Sequence, residues 1–178
     1  MILDDEKYMN LALAEAQKAY ELGEVPIGAV LVAKDGTTVS VGHNLRETVK
    51  DATAHAEIEA IRAANKKLDR WRLSGTTLYV TIEPCPMCAG AIVNSRIDRV
   101  VYGGADIKAG AVHSIFNVLT NSNLNHQTEV TAGVLEDRCC GIMRDFFKMR
   151  REQNKKNRPN NPQSCEKTEK DTCTLEKE

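Results

Sequence analysis

The sequence predicts an α/β fold, a three-layer α-β-α sandwich with a mixed five-stranded central sheet. Three observations lead there. First, "IGAVLVAKDGTTVSVG" contains two β-rich runs that meet at Asp35-Gly36, a favoured tight-turn pair, and so predicts a hairpin. Second, helical and strand-like segments alternate after that hairpin, as they do when helices cover a sheet on both faces. Third, "TTLYVTI" reads as a buried strand at the centre of that pattern.

The elements follow in order. Asp4 to Gly23 predicts a helix, with Asp4, Asp5 and Glu6 at its positive end and Gly23 as its stop; Leu11, Ala12, Ala16 and Ala19 help to make its apolar stripe. The hairpin comes next, then a polar loop from His43 to Thr53. Ala54 to Leu68 shows helical spacing through Ile58, Ile61, Ala64 and Leu68, with Asp51 or Thr53 as the expected cap. After "TTLYVTI", Pro86 to Ser95 predicts a helix, because proline is tolerated at the first helical position. "DRVVYGG" predicts a strand, and a loop then leads to an expected short helix near Ser114 to Leu119. "QTEVTAGV" supplies a last strand and Leu135 to Arg151 a last helix. The expected organisation is one domain over 1–151. A polar tail over 152–178 is too poor in apolar residues to order itself.

With 178 residues, 42% hydrophobic and 28% charged, the composition is that of a soluble globular protein. A net charge of -1 gives no sign of a nucleic-acid partner, which only local clusters could reveal. No apolar run reaches the roughly 20 residues of a membrane span. The start "MILDDEKYMN" lacks the layout of a secretion signal, so a cytoplasmic location is expected, where thiols stay reduced. Cys85, Cys88, Cys139, Cys140, Cys165 and Cys173 do not form the even framework of a disulfide-stapled domain.

The chemistry is concentrated in two segments. "EPCPMCAGAI" places Cys85 and Cys88 at the start of a predicted helix, whose positive end favours thiolates. "TAHAEIEAI" places His55 and Glu57 in the first turn of another. Taken singly these residues are ordinary: a packed histidine, a solvated acid, small buried thiols. Together, two helix starts can aim His55, Cys85 and Cys88 at one zinc ion, leaving a fourth place for water, which is the catalytic rather than the structural pattern. Glu57 is then spare to move protons. Two rivals stand beside this reading. "CPMC" could serve thiol–disulfide exchange, though His55 and Glu57 would then have no role. Cys139 or Cys140 could close a structural zinc site, though an adjacent pair in an apolar helix pattern is better explained by packing.

These residues resemble the cytidine-deaminase-like superfamily, and more narrowly the bacterial tRNA-specific adenosine deaminases. The resemblance rests on "EVPIGAV", "GHN", "AHAEIEAI", "VTIEPCPMCAGAI", "YGGADIKAGAVHS", "NLNH" and "DFFKMRR". It implies one zinc per subunit on His55, Cys85 and Cys88, with Glu57 as proton shuttle. It also implies that Asn44 contacts the target nucleoside and that Asp106 and Lys108 lie near the substrate ribose and backbone. The implied reaction is deamination of adenosine to inosine at the wobble position of a tRNA anticodon, by a homodimer. A deaminase of free guanine, cytosine or cytidine on the same fold is the alternative. For the RNA, "FFKMRREQNKKNR" combines aromatic and basic residues: Lys148, Arg150, Arg151, Lys155, Lys156 and Arg158 are the expected phosphate contacts, while Phe146 and Phe147 could equally pack in the core. His43, His113 and His126 are expected to be surface or structural.

Overall fold

In a computed structural model that describes residues 3–156, nine elements run along the chain. Helix α1 (Asp5–Glu21) is capped by Asp4, whose side chain accepts from the Lys7 N–H at 3.1 Å. Strands β1 (Gly28–Ala33) and β2 (Thr38–His43) pair antiparallel across a turn in which Gly36 takes φ +87°. Then come α2 (Ala56–Leu68), β3 (Thr76–Ile82), α3 (Pro86–Ser95), β4 (Arg99–Gly104), β5 (Glu129–Thr131) and α4 (Glu136–Lys156).

The sheet order is β2-β1-β3-β4-β5. β1 is antiparallel to both neighbours, whereas β3, β4 and β5 are parallel, so the sheet is mixed as expected. All of β3 is buried, because helices cover both faces. Ala60, Ile61 and Ala64 of α2 and Ala89, Ile92 and Val93 of α3 pack on Leu31, Leu78 and Val80. On the opposite face Tyr8, Met9 and Ala12 of α1 and Cys139 of α4 pack on Val30, Val32 and Tyr79. Small residues set the layer spacing. A Cβ on Gly28 would collide with the Ala12 carbonyl, and one on Gly42 with the Ala56 carbonyl, so glycine lets α1 and α2 lie directly on the sheet.

The pairing also fixes where the helix starts gather. His43 faces Gly28, Ala29 faces Val80, and Ile82 faces Gly104, so β2, β3 and β4 all end on one side of the sheet. The start of α3 follows β3 directly, and the start of α2 lies against Gly42.

Four expectations need correction. Residues 114–119 form turns, not a helix. The N–H groups of Ile115 and Phe116 both point to the Gly110 carbonyl and that of Val118 to Ala111, so no helical ladder can start. The N-cap of α2 is His55, not Asp51 or Thr53; Asp51 instead accepts from the Thr53 N–H and hydroxyl, each at 2.7 Å. β5 is confined to Glu129–Thr131 at the sheet edge. Finally, α4 continues to Lys156, so residues 152–156 are helical instead of belonging to a tail. The rest of the predicted tail, with Arg158, Cys165 and Cys173, lies outside the described residues.

Candidate active site

His55 and Cys85 occupy equivalent places, each the N-cap of its helix with extended backbone, and neither uses its side chain to cap. The backbone does the capping work instead. The His55 carbonyl accepts from Glu59 N–H at 2.9 Å and the Cys85 carbonyl from Ala89 N–H at 2.8 Å. Both side chains are therefore free to turn forward, and Cys88, one turn into α3, joins them. His55 Nδ1 lies 3.7 Å from each of the two sulfurs. The three donor atoms all fall within 4.8 Å of one another. Tetrahedral zinc with bonds of about 2.0–2.3 Å to nitrogen and sulfur requires donor separations of about 3.6 Å, so the set fits such an ion. Cys139 does not join it. It sits in the other layer, where its sulfur fills the space a Cβ on Gly103 would need.

The charges support the same fit. The Cys85 thiol is lowered to about 4 by its hydrogen bond with Cys88 and, against the effect of burial, by His55. His55 is raised by its contact with Cys85, which outweighs burial. The Cys88 thiol is pushed up by the Cys85 thiolate and by burial. The Cys85 thiolate thus leans on Cys88 and His55 for stabilisation, and a divalent cation among the three would satisfy them better, taking both sulfurs as thiolates. Glu57 stands outside the ligand group but beside it, only 3% exposed. Its Oε2 has no protein partner among the described residues, and burial, with the Cys85 charge adding, raises its carboxyl to about 7. A buried acid near neutrality with an unused oxygen is suited to carrying a proton.

Asn44 follows β2 and is also buried, at 4% exposure. Its N–H donates to the Ile27 carbonyl at 3.1 Å, and no partner for its carboxamide occurs among the described residues. The same loop is tied back to the metal side by Leu45 N–H to Ala54 carbonyl at 3.0 Å, and to Glu24, whose Oε1 accepts from Thr48 N–H at 2.5 Å. The three unassigned histidines are held elsewhere. His43 pairs with the buried Glu15 at 2.9 Å, His113 Nδ1 meets the Tyr102 hydroxyl at 3.2 Å, and His126 Nε2 meets the Ile97 carbonyl at 2.7 Å.

Asp106 and Lys108 belong to the segment after β4, where Asp106 Oδ1 accepts from the N–H groups of Lys108 and Ala109 at 2.9 and 3.1 Å. They line a cleft of about 1010 Å³ together with Val25, Ile82, Lys148 and Arg151. The predicted substrate loop and two of the predicted RNA contacts therefore meet. Arg150, Lys155 and Lys156 are exposed on α4 but do not line the cleft. Of the two phenylalanines, Phe146 is core, edge-on to Tyr20, and Phe147 lines the cleft with 43% exposure.

The residue that sequence reading missed is Glu83. Buried at 3% exposure, it accepts from the N–H groups of Asp106, Val112, His113 and Ser114 and from the Ser114 hydroxyl. Burial works against its charge, but the His113, Ser114 and Asp106 donors outweigh it and hold the carboxyl near 2. The signal was present in "TIEPC": an acid ending a wholly buried strand must find donors somewhere.

Residues 3–151 match the family described as MafB19-like deaminase. The tRNA-specific adenosine deaminase of Bacillus subtilis is 52% identical over 156 residues, which cover 88% of this chain and 96% of that protein. The chain belongs to the tRNA-specific adenosine deaminase family. Solved members of the deaminase fold agree with the architecture. A structure from a study of A-to-I editing by tRNA:A34 deaminases at the wobble position superposes with a TM-score of 0.73 at 46% identity, covering 76% of this chain and 98% of that one. A guanine deaminase of Bacillus subtilis is more distant: TM-score 0.56 at 28% identity, covering 89% and 98%. As an enzyme of the adenosine deaminase family, the chain places a His/Cys/Cys metal group where two helix starts converge. Among its described residues no helix is long and apolar enough to cross a membrane.

Proposed function

We propose that this protein hydrolyses the exocyclic amine of adenosine to give inosine and ammonia, at the wobble position of a tRNA anticodon, in the cytoplasm. The observation that carries the reading is the meeting of His55, Cys85 and Cys88 beside a buried, protonatable Glu57. The kinship with tRNA-specific adenosine deaminases supports the choice of substrate. His55, Cys85 and Cys88 would hold one zinc ion. When bound there, zinc supplies Lewis-acid chemistry that makes a water acidic near neutral pH.

The chain's own residues do the rest. Glu57 accepts a proton from the attacking water and passes it to ring nitrogen N1 as the water oxygen adds to C6. It then carries the second water proton to the exocyclic amine, and the C6–N bond breaks to release ammonia. Burial serves this shuttle by raising the carboxyl, so that its neutral form is accessible and the proton it takes can be handed on. Asn44 would accept and donate hydrogen bonds to the nucleoside, Asp106 and Lys108 would hold ribose and backbone, and Lys148 and Arg151 would hold phosphates across the cleft. An anticodon base lies in a loop and can be inserted without opening a duplex. Arg150, Lys155 and Lys156 extend the positive surface along α4. A homodimer is part of the proposal: a Cβ on Gly90 of α3 would touch nothing within 4 Å, so that face is open for a second copy to approach.

The test is product analysis. Purified protein with a synthetic anticodon stem-loop bearing adenosine at the wobble position should yield inosine, and should leave guanine, cytosine and cytidine unchanged. Conversion of a free base with no inosine from the stem-loop would replace this reading with the alternative on the same fold.

A further inference from the structure

Glu83 takes no part in the reaction as written, yet it makes five hydrogen bonds across 23 to 31 residues of chain. Its Oε1 accepts from Val112, His113 and Ser114 N–H at 3.0, 2.8 and 3.0 Å, and its Oε2 from Asp106 N–H at 3.0 Å and from the Ser114 hydroxyl. The neighbours complete a clamp. Pro84 carbonyl accepts from Ala111 N–H at 2.8 Å, Glu83 N–H donates to Gly104 carbonyl at 2.8 Å, and Gly110 lies so close to the carboxylate that a Cβ there would collide with it. Residues 105–114 have no sheet or helix ladder of their own. The next residue after the clamp is Cys85.

We infer that Glu83 is a positioning residue for substrate: it fixes the loop bearing Asp106 and Lys108 to the strand end bearing Cys85. One short peptide thereby sets the metal ligands and the substrate contacts in register. The inference rests on the deaminase reading of the site. A neutral side chain of the same shape cannot replace the carboxylate, because a carboxamide presents an NH₂ group to N–H donors and offers one acceptor oxygen instead of two.

The experiment compares Glu83→Gln with the parent by zinc content, amide hydrogen exchange and steady-state kinetics on the stem-loop RNA. Glu83→Gln should keep parent zinc while the amides of 106 and 112–114 exchange about tenfold faster, as expected for loss of a charge-assisted bond. KM should rise about tenfold while kcat changes much less, because binding and not chemistry is disturbed. Parent-like exchange and KM would overturn the inference. So would loss of zinc together with loop protection, which would make Glu83 part of the metal scaffold. If Glu83→Gln does not fold, Ser114→Ala carries the test. It removes one donor and should raise exchange and KM about two- to threefold, and no change in either would overturn the inference. A parent protein that makes no inosine would defeat the deaminase reading alone, and the exchange data would still decide the loop.

Discussion

The metal cradle and the loop over 105–114, the proposed substrate rim, are joined through Glu83 and Pro84, but they are built differently. The cradle takes its ligands from the cap of α2 and from the cap and first turn of α3, two helices packed into one core cluster. Each ligand's place on its helix is fixed locally, and core packing of α2 and α3 brings the two helix starts together across 30 to 33 residues of chain. The rim over 105–114 has no ladder, and its shape depends on one buried carboxylate reaching it from the end of β3. Damage to a cradle residue should therefore remove the metal or the chemistry outright. Damage to the rim should leave both in place and weaken only the hold on substrate.

Substitutions can break that contrast, and the largest effect is expected in the cradle. His55→Ala or Cys88→Ala should lose zinc and deamination together, measured by metal analysis and inosine yield on the same preparation. Retention of stoichiometric zinc with normal turnover would show that the donors are not ligands. Glu57→Gln should keep zinc and lower kcat by about 10²–10⁴, the usual size of an acid–base contribution.

Next in size is the acid sensitivity of the rim. The Glu83 carboxyl is depressed from 4.5 to about 2 in the folded protein. Its contribution is therefore complete above the unfolded value and disappears as pH falls through the folded one. The linkage amounts to at most about 3 kcal/mol at neutral pH. Urea unfolding of the parent and Glu83→Gln should thus differ most at pH 6–7, and the difference should shrink between about pH 4.5 and pH 2. A constant difference across that range would mean that the carboxylate charge is not what holds the loop. The smallest effect is expected at the outer edge of the cleft. Replacing Lys148 and Arg151 by alanine should weaken stem-loop binding several-fold, with zinc and kcat retained. The salt slope should fall by about one for each phosphate that is no longer neutralised.

The same contrast explains what could be read in the sequence. His55 and Glu57, and Cys85 and Cys88, sit at fixed short spacings on segments whose helical character is evident, so the cradle was visible residue by residue. The hairpin, β3 and α3 were equally local: Asp35-Gly36 marks the turn and Pro86 the helix start. Asp106 and Lys108 of the rim are named only by the family resemblance, and its anchoring was not visible, because the partners of Glu83 are remote and follow no period. The segment 114–119 was misread for the same reason. Ile115, Val118 and Leu119 have helical spacing, but the N–H groups of Val112 to Ser114 are turned to a carboxylate. α4 outran its predicted end because the apolar pattern fades near Arg151, while Glu152, Gln153, Lys155 and Lys156 remain good helix formers.

The most direct test of the account is zinc-edge X-ray absorption on protein purified without added metal. It should find one zinc per chain with two sulfur neighbours at about 2.3 Å and two nitrogen or oxygen neighbours at about 2.0–2.1 Å. A metal-free protein with Cys85 and Cys88 joined as a disulfide, or a zinc enclosed by four protein donors, would contradict it.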